Sequence, residues 1–149
     1  MELEVKHIAP YLPYSLEMRH EPKDKNGEIL YYKTGVLVKI QDNKKLKYAR
    51  ISIGFDDLNP IFEFKPILRP ISDLKTDFFA DKWESDIDVR TFLSDGYLSE
   101  MGVDDFDYLI DHKNIEWYPY GLIYILIKYH FDIFGLIEND LAIDINTLQ

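Results

Sequence analysis

Carboxylates dominate the chemistry that this 149-residue sequence can offer, and they are concentrated in one stretch. Residues 73–112 carry 12 Asp/Glu against 3 Lys/Arg, whereas residues 1–72 carry 10 Asp/Glu against 12 Lys/Arg. Carboxylates can perform acid–base catalysis, hold hard metal ions, or form an anionic surface that attracts basic proteins. Their spacing and neighbours decide between these three uses.

The spacing of these acids gives little support to catalysis or metal binding. Asp86–Asp88 and Asp104–Asp107 resemble fragments of oxygen-ligand sites, but neither has the glycine and distal glutamate of a calcium loop. None of the four histidines lies at the spacing of a helical zinc pair, and the chain has no cysteine. Nucleophile-elbow and phosphate-loop motifs are also missing from the sequence. We therefore predict no catalytic residue, no metal site and no cofactor, with a carboxylate–metal enzyme of unrecognised spacing as an alternative.

The third use of the carboxylates is a docking surface for a partner. Aromatic residues are interleaved with the acids of this stretch, and aromatic anchors are typical of protein interfaces. Carboxylates spaced along a surface can also take the place of nucleic-acid phosphates on a basic protein. The predicted partner-binding residues are Asp77, Asp81, Trp83, Glu84, Asp86, Asp88, Asp104, Asp105 and Asp107. The alternative is that these acids only solubilise a surface over the core.

A local basic cluster offers a second kind of binding. Four cations and one aromatic residue form it on a predicted hairpin: Lys44, Lys45, Lys47, Tyr48 and Arg50. Cations interleaved with an aromatic ring suit nucleic acid, although lysines on an edge strand also prevent aggregation between sheets. Because the whole chain carries a net charge of −10 and is repelled by phosphates, direct nucleic-acid binding is the secondary hypothesis.

Length and composition predict one globular domain over residues 1–149, with 46% hydrophobic residues. The absence of cysteine fits a reducing cytoplasm. Met1–Glu4 is acidic rather than basic, so no signal peptide is expected. The apolar run Leu122–Ile127 is too short to cross a membrane. We therefore expect a cytoplasmic protein with no membrane partner.

The first half of the chain predicts a sheet. Alternating or β-branched runs predict strands at Ser15–His20, Ile29–Tyr32, Gly35–Gln41, Leu46–Ile53 and Ile61–Leu68. Asn26-Gly27 is the strongest turn signal between them. Pro66 predicts an edge position or a bulge for the last strand. Together these runs indicate an antiparallel β-meander of about four strands over residues 15–68.

The helices are expected mainly in the second half. A short N-terminal helix over Glu2–Ala9 is ended by the following proline, which begins an extended linker. Acidic first turns predict helices at Asp86–Leu93 and Asp104–Asp111. A central helix from Pro119 to about Phe134 is apolar on most faces, with Gly135 suited to closing it. The fold class is α+β, with C-terminal helices packed on one face of the sheet.

Three stretches resemble small uncharacterised proteins of phages and prophages of Bacteroidetes-type bacteria. They are Phe64–Leu74 (FKPILRPISDL), His130–Ile137 followed by Leu141–Leu148 (HFDIFGLI and LAIDINTL), and the opening His7–Tyr14 (HIAPYLPY). The resemblance implies a phage-borne gene and assigns no residue a role. Inhibitors of bacterial defence, anti-CRISPR proteins included, recur among phage proteins of this size and charge. By analogy we expect a non-catalytic inhibitor that binds a basic, nucleic-acid-handling host protein, such as an RNA-targeting CRISPR effector.

Overall fold

A computed structural model describes residues 1–42, 47–51, 59–75 and 120–148 of the chain. In these ranges the helices are α1 (Val5–Ile8) and α2 (Tyr120–Lys128). The strands there are β1 (Glu17–His20), β2 (Lys33–Asp42), β3 (Lys47–Ile51), β4 (Asn59–Pro60), β5 (Phe64–Leu68) and β6 (Ile143–Asp144). Short 3-10 helices cover Ala9–Tyr14, Ile61–Glu63, Ile71–Lys75 and Ile145–Leu148. The described part therefore has an α+β architecture.

The described strands form one sheet in the order β4-β3-β2-β1-β5-β6. Strands β1 to β3 are consecutive antiparallel neighbours, as the predicted meander requires, and the short β4, which was not predicted, pairs antiparallel with β3. The meander prediction is wrong beyond them, because β5 returns to pair antiparallel with β1 and β6 then pairs parallel with β5. β5 is buried at four of its five positions. Its backbone groups are therefore shielded from water and need ladder partners on both sides.

The position of Pro66 also differs from the prediction, because β5 lies inside the sheet rather than at its edge. The Glu21 N–H donates to the Glu63 carbonyl at 2.7 Å in the same ladder. Since ladder positions alternate along a strand, the Pro66 nitrogen points away from β1. On that other side, β6 pairs only with Ile67 and Leu68. The missing N–H of Pro66 therefore costs no ladder hydrogen bond.

The register gives the sheet two different faces. Met18 and Gly35 are direct partners on β1 and β2, and both are buried. In the next pair, Arg19 is half-buried and Thr34 is exposed. Because side chains alternate between the two sides of a sheet, one side belongs to the core and the other faces solvent. We call the side that carries Arg19 and Thr34 the outer face.

The central helix α2 packs into the same core as the inner side of the sheet. Leu122 and Leu126, one turn apart, are buried. They belong to one cluster with Leu16, Met18 and Phe64. Through this apolar stripe α2 joins the core cluster.

The end of α2 corrects the predicted extension to Phe134. The helix ends at Lys128, and His130 adopts a left-handed φ of 61°. The Phe131 N–H donates to the Leu126 carbonyl at 2.8 Å, and the His130 N–H donates to the Ile127 carbonyl at 3.0 Å. This pair of bonds is the Schellman motif, which closes a helix. The role predicted for Gly135 is thus filled five residues earlier by a histidine.

The N-terminal segment is more helical than expected after its first proline. α1 is only four residues long, and a 3-10 helix over Ala9–Tyr14 replaces the predicted extended linker. Pro10 fits the first turn of that helix because an N–H there would have no intrahelical acceptor. The turn carries Ile8 and Tyr11 into the core, where both are fully buried. This burial outweighs the tendency of the two prolines to extend the chain.

The turn predicted at Asn26-Gly27 lies between β1 and β2. The Gly27 N–H donates to the Asp24 carbonyl at 3.1 Å, and Gly27 has a φ of 83°, which confirms the turn. The predicted strand Ile29–Tyr32 is reduced to a single bridge between Ile29 and Lys23. The predicted helices Asp86–Leu93 and Asp104–Asp111 lie outside the described residues.

Candidate functional site

The predicted partner-binding residues lie outside the described part of the chain. They are Asp77, Asp81, Trp83, Glu84, Asp86, Asp88, Asp104, Asp105 and Asp107. Of the acidic stretch, the structure describes residues 73–75. The described chain stops at Lys75 and resumes at Tyr120, the first residue of α2. Both flanks of the acidic stretch are therefore connected to the same folded core.

Asp73, the first acid of that stretch, is bound within the fold. Its Oδ2 lies 3.3 Å from Nη1 of Arg69. The side-chain amide of Asn146 donates to both oxygens of Asp73, at 3.2 and 3.0 Å. The Arg69 guanidinium also lies 5.9 Å from the ring centroid of Phe131. Asp73 thus ties the end of β5 to the C-terminal 3-10 helix and contributes to stability rather than to an anionic docking surface.

The predicted basic hairpin is described only in part. Lys44 and Lys45 lie outside the described residues, whereas Lys47, Tyr48 and Arg50 belong to β3. β3 has β2 on one side and the two-residue β4 on the other. β4 pairs with Tyr48 and Ala49 but not with Lys47, which is the one lysine of β3, so protection of a sheet edge stays the alternative to nucleic-acid binding.

The register adds a residue that sequence reasoning missed. It pairs Lys39 of β2 directly with Arg50 of β3, and Gln41 with Tyr48. Like charges at directly opposed positions destabilise a strand pair unless something compensates them. Lys39 has no signal in the sequence, because it stands alone in an apolar run. Only the pairing of the two strands shows that it extends the basic hairpin.

Two neighbouring tyrosines before β2 each carry a cation over the ring. The Arg19 guanidinium carbon lies 5.5 Å from the ring centroid of Tyr32, and Lys33 Nζ lies 5.7 Å from that of Tyr31. Both distances are within the range of cation–π attraction. Tyr32 is 60% exposed, although it is a large aromatic residue. Sequence reasoning missed these contacts; the pair Tyr31-Tyr32 followed by Lys33 is a signal that could have indicated them, whereas the contribution of Arg19 depends on the β1–β2 register.

The described arrangement nearest to a catalytic pair is His20 with Glu63. His20 Nε2 lies 2.8 Å from Glu63 Oε2. The imidazole is stacked on Phe64 at 4.7 Å between centroids and meets Tyr31 edge-on at 5.6 Å. His20 is only 1% exposed, so a substrate cannot reach the ring. The pair instead fixes the end of β1 to the 3-10 helix before β5.

Two further histidines, buried His7 and half-buried His130, each hydrogen-bond to the backbone. His7 Nδ1 accepts the backbone N–H of Glu4 at 3.0 Å, and His130 Nε2 donates to the Tyr14 carbonyl at 2.6 Å. Burial lowers the pKa of both imidazoles. Each ring therefore has a structural partner at one nitrogen and disfavours the charged form.

Within the ranges that the structure describes, no three His, Asp or Glu side chains come together as a metal site requires. In the same ranges, every helix falls short of the length and apolar character needed to traverse a bilayer. Comparisons with protein-family models, curated proteins and solved structures find no match for this chain. Its function must therefore be inferred from the charge distribution and the surfaces described above.

Proposed function

We propose that this protein is a non-enzymatic inhibitor that docks through its acidic segment, residues 73–112, on a basic surface of a host nucleic-acid-handling protein. The observation that carries the proposal is the charge distribution, with 12 of the 27 acids and only 3 cations in that segment. A positively charged channel that holds a guide–target duplex, as in CRISPR effectors, is a surface that such acids complement.

The biological setting completes the proposal. The resemblance to phage proteins supports a phage-borne gene that acts in the cytoplasm of the host bacterium against its defence. An RNA-targeting CRISPR effector is the most concrete target. The proposal includes helices from the second half of the chain packed on one face of the sheet. Such helices would hold the acidic side chains in fixed positions for the partner.

The described flanks of the segment support this role. Leu68 before it and Leu122 after it are both fully buried in one core cluster. A segment tied to one core at both ends loses less conformational freedom on binding than a free tail of the same length. Because Asp73 is held by Arg69, the docking acids are those from Asp77 onward.

Affinity capture from a host lysate, followed by mass spectrometry, tests the proposal. A variant with four charge reversals should lose its basic, nucleic-acid-handling partner: Asp77→Lys, Asp81→Lys, Asp86→Lys and Asp88→Lys. A control changes net charge by the same amount at four exposed acids elsewhere: Glu2→Lys, Glu17→Lys, Glu28→Lys and Glu138→Lys. The control should retain the partner. Equal capture by both variants, each with a wild-type circular dichroism spectrum, would rule out docking through the acidic segment.

A further inference from the structure

We propose that the outer face of the sheet binds single-stranded nucleic acid through Arg19, Tyr32 and Lys39. The residues of this surface are distinct in sequence from the acidic segment and lie on β1, β2 and the residue before β2. It combines exposed aromatic area with cations, and that combination matches a strand of stacked bases joined by phosphates.

The first half of the surface is the contact between Arg19 and Tyr32. The guanidinium is held 5.5 Å from the ring centroid, and the ring is 60% exposed. Arg19 also forms an ion pair with buried Glu21, whose Oε1 lies 3.9 Å from Nη1, beyond hydrogen-bond distance. A base can stack on the exposed part of the Tyr32 ring while the adjacent guanidinium binds a phosphate.

The second half of the surface depends on a β-bulge in β2. The pairing with β3 shifts between Leu37 and Lys39. Without the shift, Val38 and Ile40 would continue the face that carries Thr34. With it, Ile40 turns to pack against the core, whereas Lys39 and Gln41 are exposed. The bulge therefore replaces Ile40 on the outer face with Lys39 and Gln41, beside Val38, which is 44% exposed.

In the strand register, Arg50 is the Cα partner of Lys39, and Tyr48 is the Cα partner of Gln41. The outer face has an exposed cation, Lys39, at one end and Tyr32 with Arg19 at the other. The distance along β2 from Tyr32 to Lys39 is about 20 Å at the usual rise of a strand. This length accommodates a short single strand with a phosphate at each cationic end.

A single strand fits this surface better than a duplex. Bases must be unstacked from a complementary strand before they can lie on a tyrosine ring. Among the described residues, the outer face presents no helix or protruding two-stranded ribbon that could enter a major groove. The net charge of −10 opposes the approach of phosphates, so we expect micromolar rather than nanomolar affinity.

Fluorescence anisotropy with a labelled 12-nucleotide oligo(U) and oligo(dT) at low salt tests the proposal. Tyr32→Ala and Lys39→Glu should each weaken binding by about tenfold. Matched controls come from α2, where Tyr120 is 82% exposed and Lys128 also lies over a tyrosine ring, at 5.7 Å. Tyr120→Ala and Lys128→Glu should change the dissociation constant by less than about twofold.

Three results would overturn the proposal, provided that every variant has the wild-type melting profile. They are no binding by the wild-type chain, equal weakening by the α2 controls, and a 12-base-pair duplex bound as tightly as the single strand. The charge-reversal variant of the acidic segment separates this proposal from the docking function. That variant should lose its protein partner but bind the oligonucleotide at least as tightly as wild type, because it repels phosphates less.

Discussion

Nε2 of His130 lies 2.6 Å from the backbone carbonyl oxygen of Tyr14, a residue 116 positions earlier in the chain. A carbonyl oxygen can only accept a hydrogen bond, so this nitrogen carries the proton and the neutral ring suffices. The contact joins the end of α2 to the end of the N-terminal 3-10 helix. His130 makes it from a left-handed backbone conformation, with a φ of 61°.

The first prediction concerns the order of substitutions at His130. His130→Ala should cost about 1–2 kcal/mol in the free energy of unfolding, because the Tyr14 carbonyl loses its donor. His130→Gly should cost about 1 kcal/mol less than His130→Ala, because glycine adopts a positive φ without a Cβ clash. Urea unfolding measures both. Tyr124 is an exposed position inside α2 and serves as the control. There the Tyr124→Ala variant should be more stable than Tyr124→Gly by about 1 kcal/mol, because glycine is unfavourable inside a helix. Finding alanine at least as stable as glycine at position 130 would contradict the left-handed helix end.

The second prediction concerns pH. Burial lowers the pKa of His130 and of His7 in the folded protein. The unfolded chain, whose histidines titrate near about 6.5, therefore takes up protons first as the pH falls. The neutral histidines therefore contribute their full stabilisation of the fold above about pH 6.5. This contribution is lost as the pH falls from that value toward the lower pKa values of the folded protein.

Urea midpoints at about pH 7.5 and 5.5 check this, in a window above the titration of ordinary carboxylates. We expect the lower midpoint at the lower pH. The difference should shrink in His130→Gly, which removes one of the two histidines. A higher midpoint at the lower pH would show that the imidazoles are charged in the fold.

The third prediction concerns the hydroxyl of Tyr11, which is fully buried and donates to the Phe131 carbonyl at 2.7 Å. Burial raises the pKa of this phenol, so it stays a neutral donor. Tyr11→Phe should cost about 1–3 kcal/mol because a buried carbonyl loses its hydrogen bond. Tyr120→Phe, at a site that is 82% exposed, should change stability by less than about 0.5 kcal/mol. Equal effects in thermal unfolding would mean that the buried bond contributes nothing.

The fourth prediction concerns the buried carboxylate of Asp132. Its oxygens accept the backbone N–H groups of Leu136 at 2.9 Å and Ile137 at 2.8 Å. Asp132→Ala should cost about 2–4 kcal/mol by leaving both donors unsatisfied, and Asp132→Asn about half of that, because one acceptor oxygen remains. Amide hydrogen exchange at positions 136 and 137 should accelerate in the alanine variant. Unchanged exchange there would show that the carboxylate does not hold this turn.

Local features of the fold were predictable from the sequence. The turn at Gly27 and the strands β1 to β3 follow from residue preferences and alternation that act over a few positions. The end of α2 could not be predicted in the same way. Gly135 offered the usual local signal, whereas His130 is held in its left-handed conformation by a contact with Tyr14 from the other end of the chain.

The strand order and the residues of the outer face could not be predicted from local sequence patterns, because both depend on which strands pair and in which register. β5 joins β1 rather than β4, so it pairs with a strand that is not its neighbour in the chain. The contact between Arg19 and Tyr32 depends on the register of two strands. The bulge between Leu37 and Lys39 has no glycine or proline to announce it. Counting charges, by contrast, was enough to identify the acidic segment.

The most direct test of docking through that segment is the dissociation constant of the purified, captured partner. It is measured at about 50 and 200 mM salt for wild type, the four-residue acidic-segment variant and the matched control. We predict that reversing Asp77, Asp81, Asp86 and Asp88 weakens binding by about 100-fold or more at the lower salt. Wild-type affinity should fall at the higher salt, while the control stays within about threefold of wild type. An unchanged dissociation constant in the four-residue variant would contradict the proposed docking function.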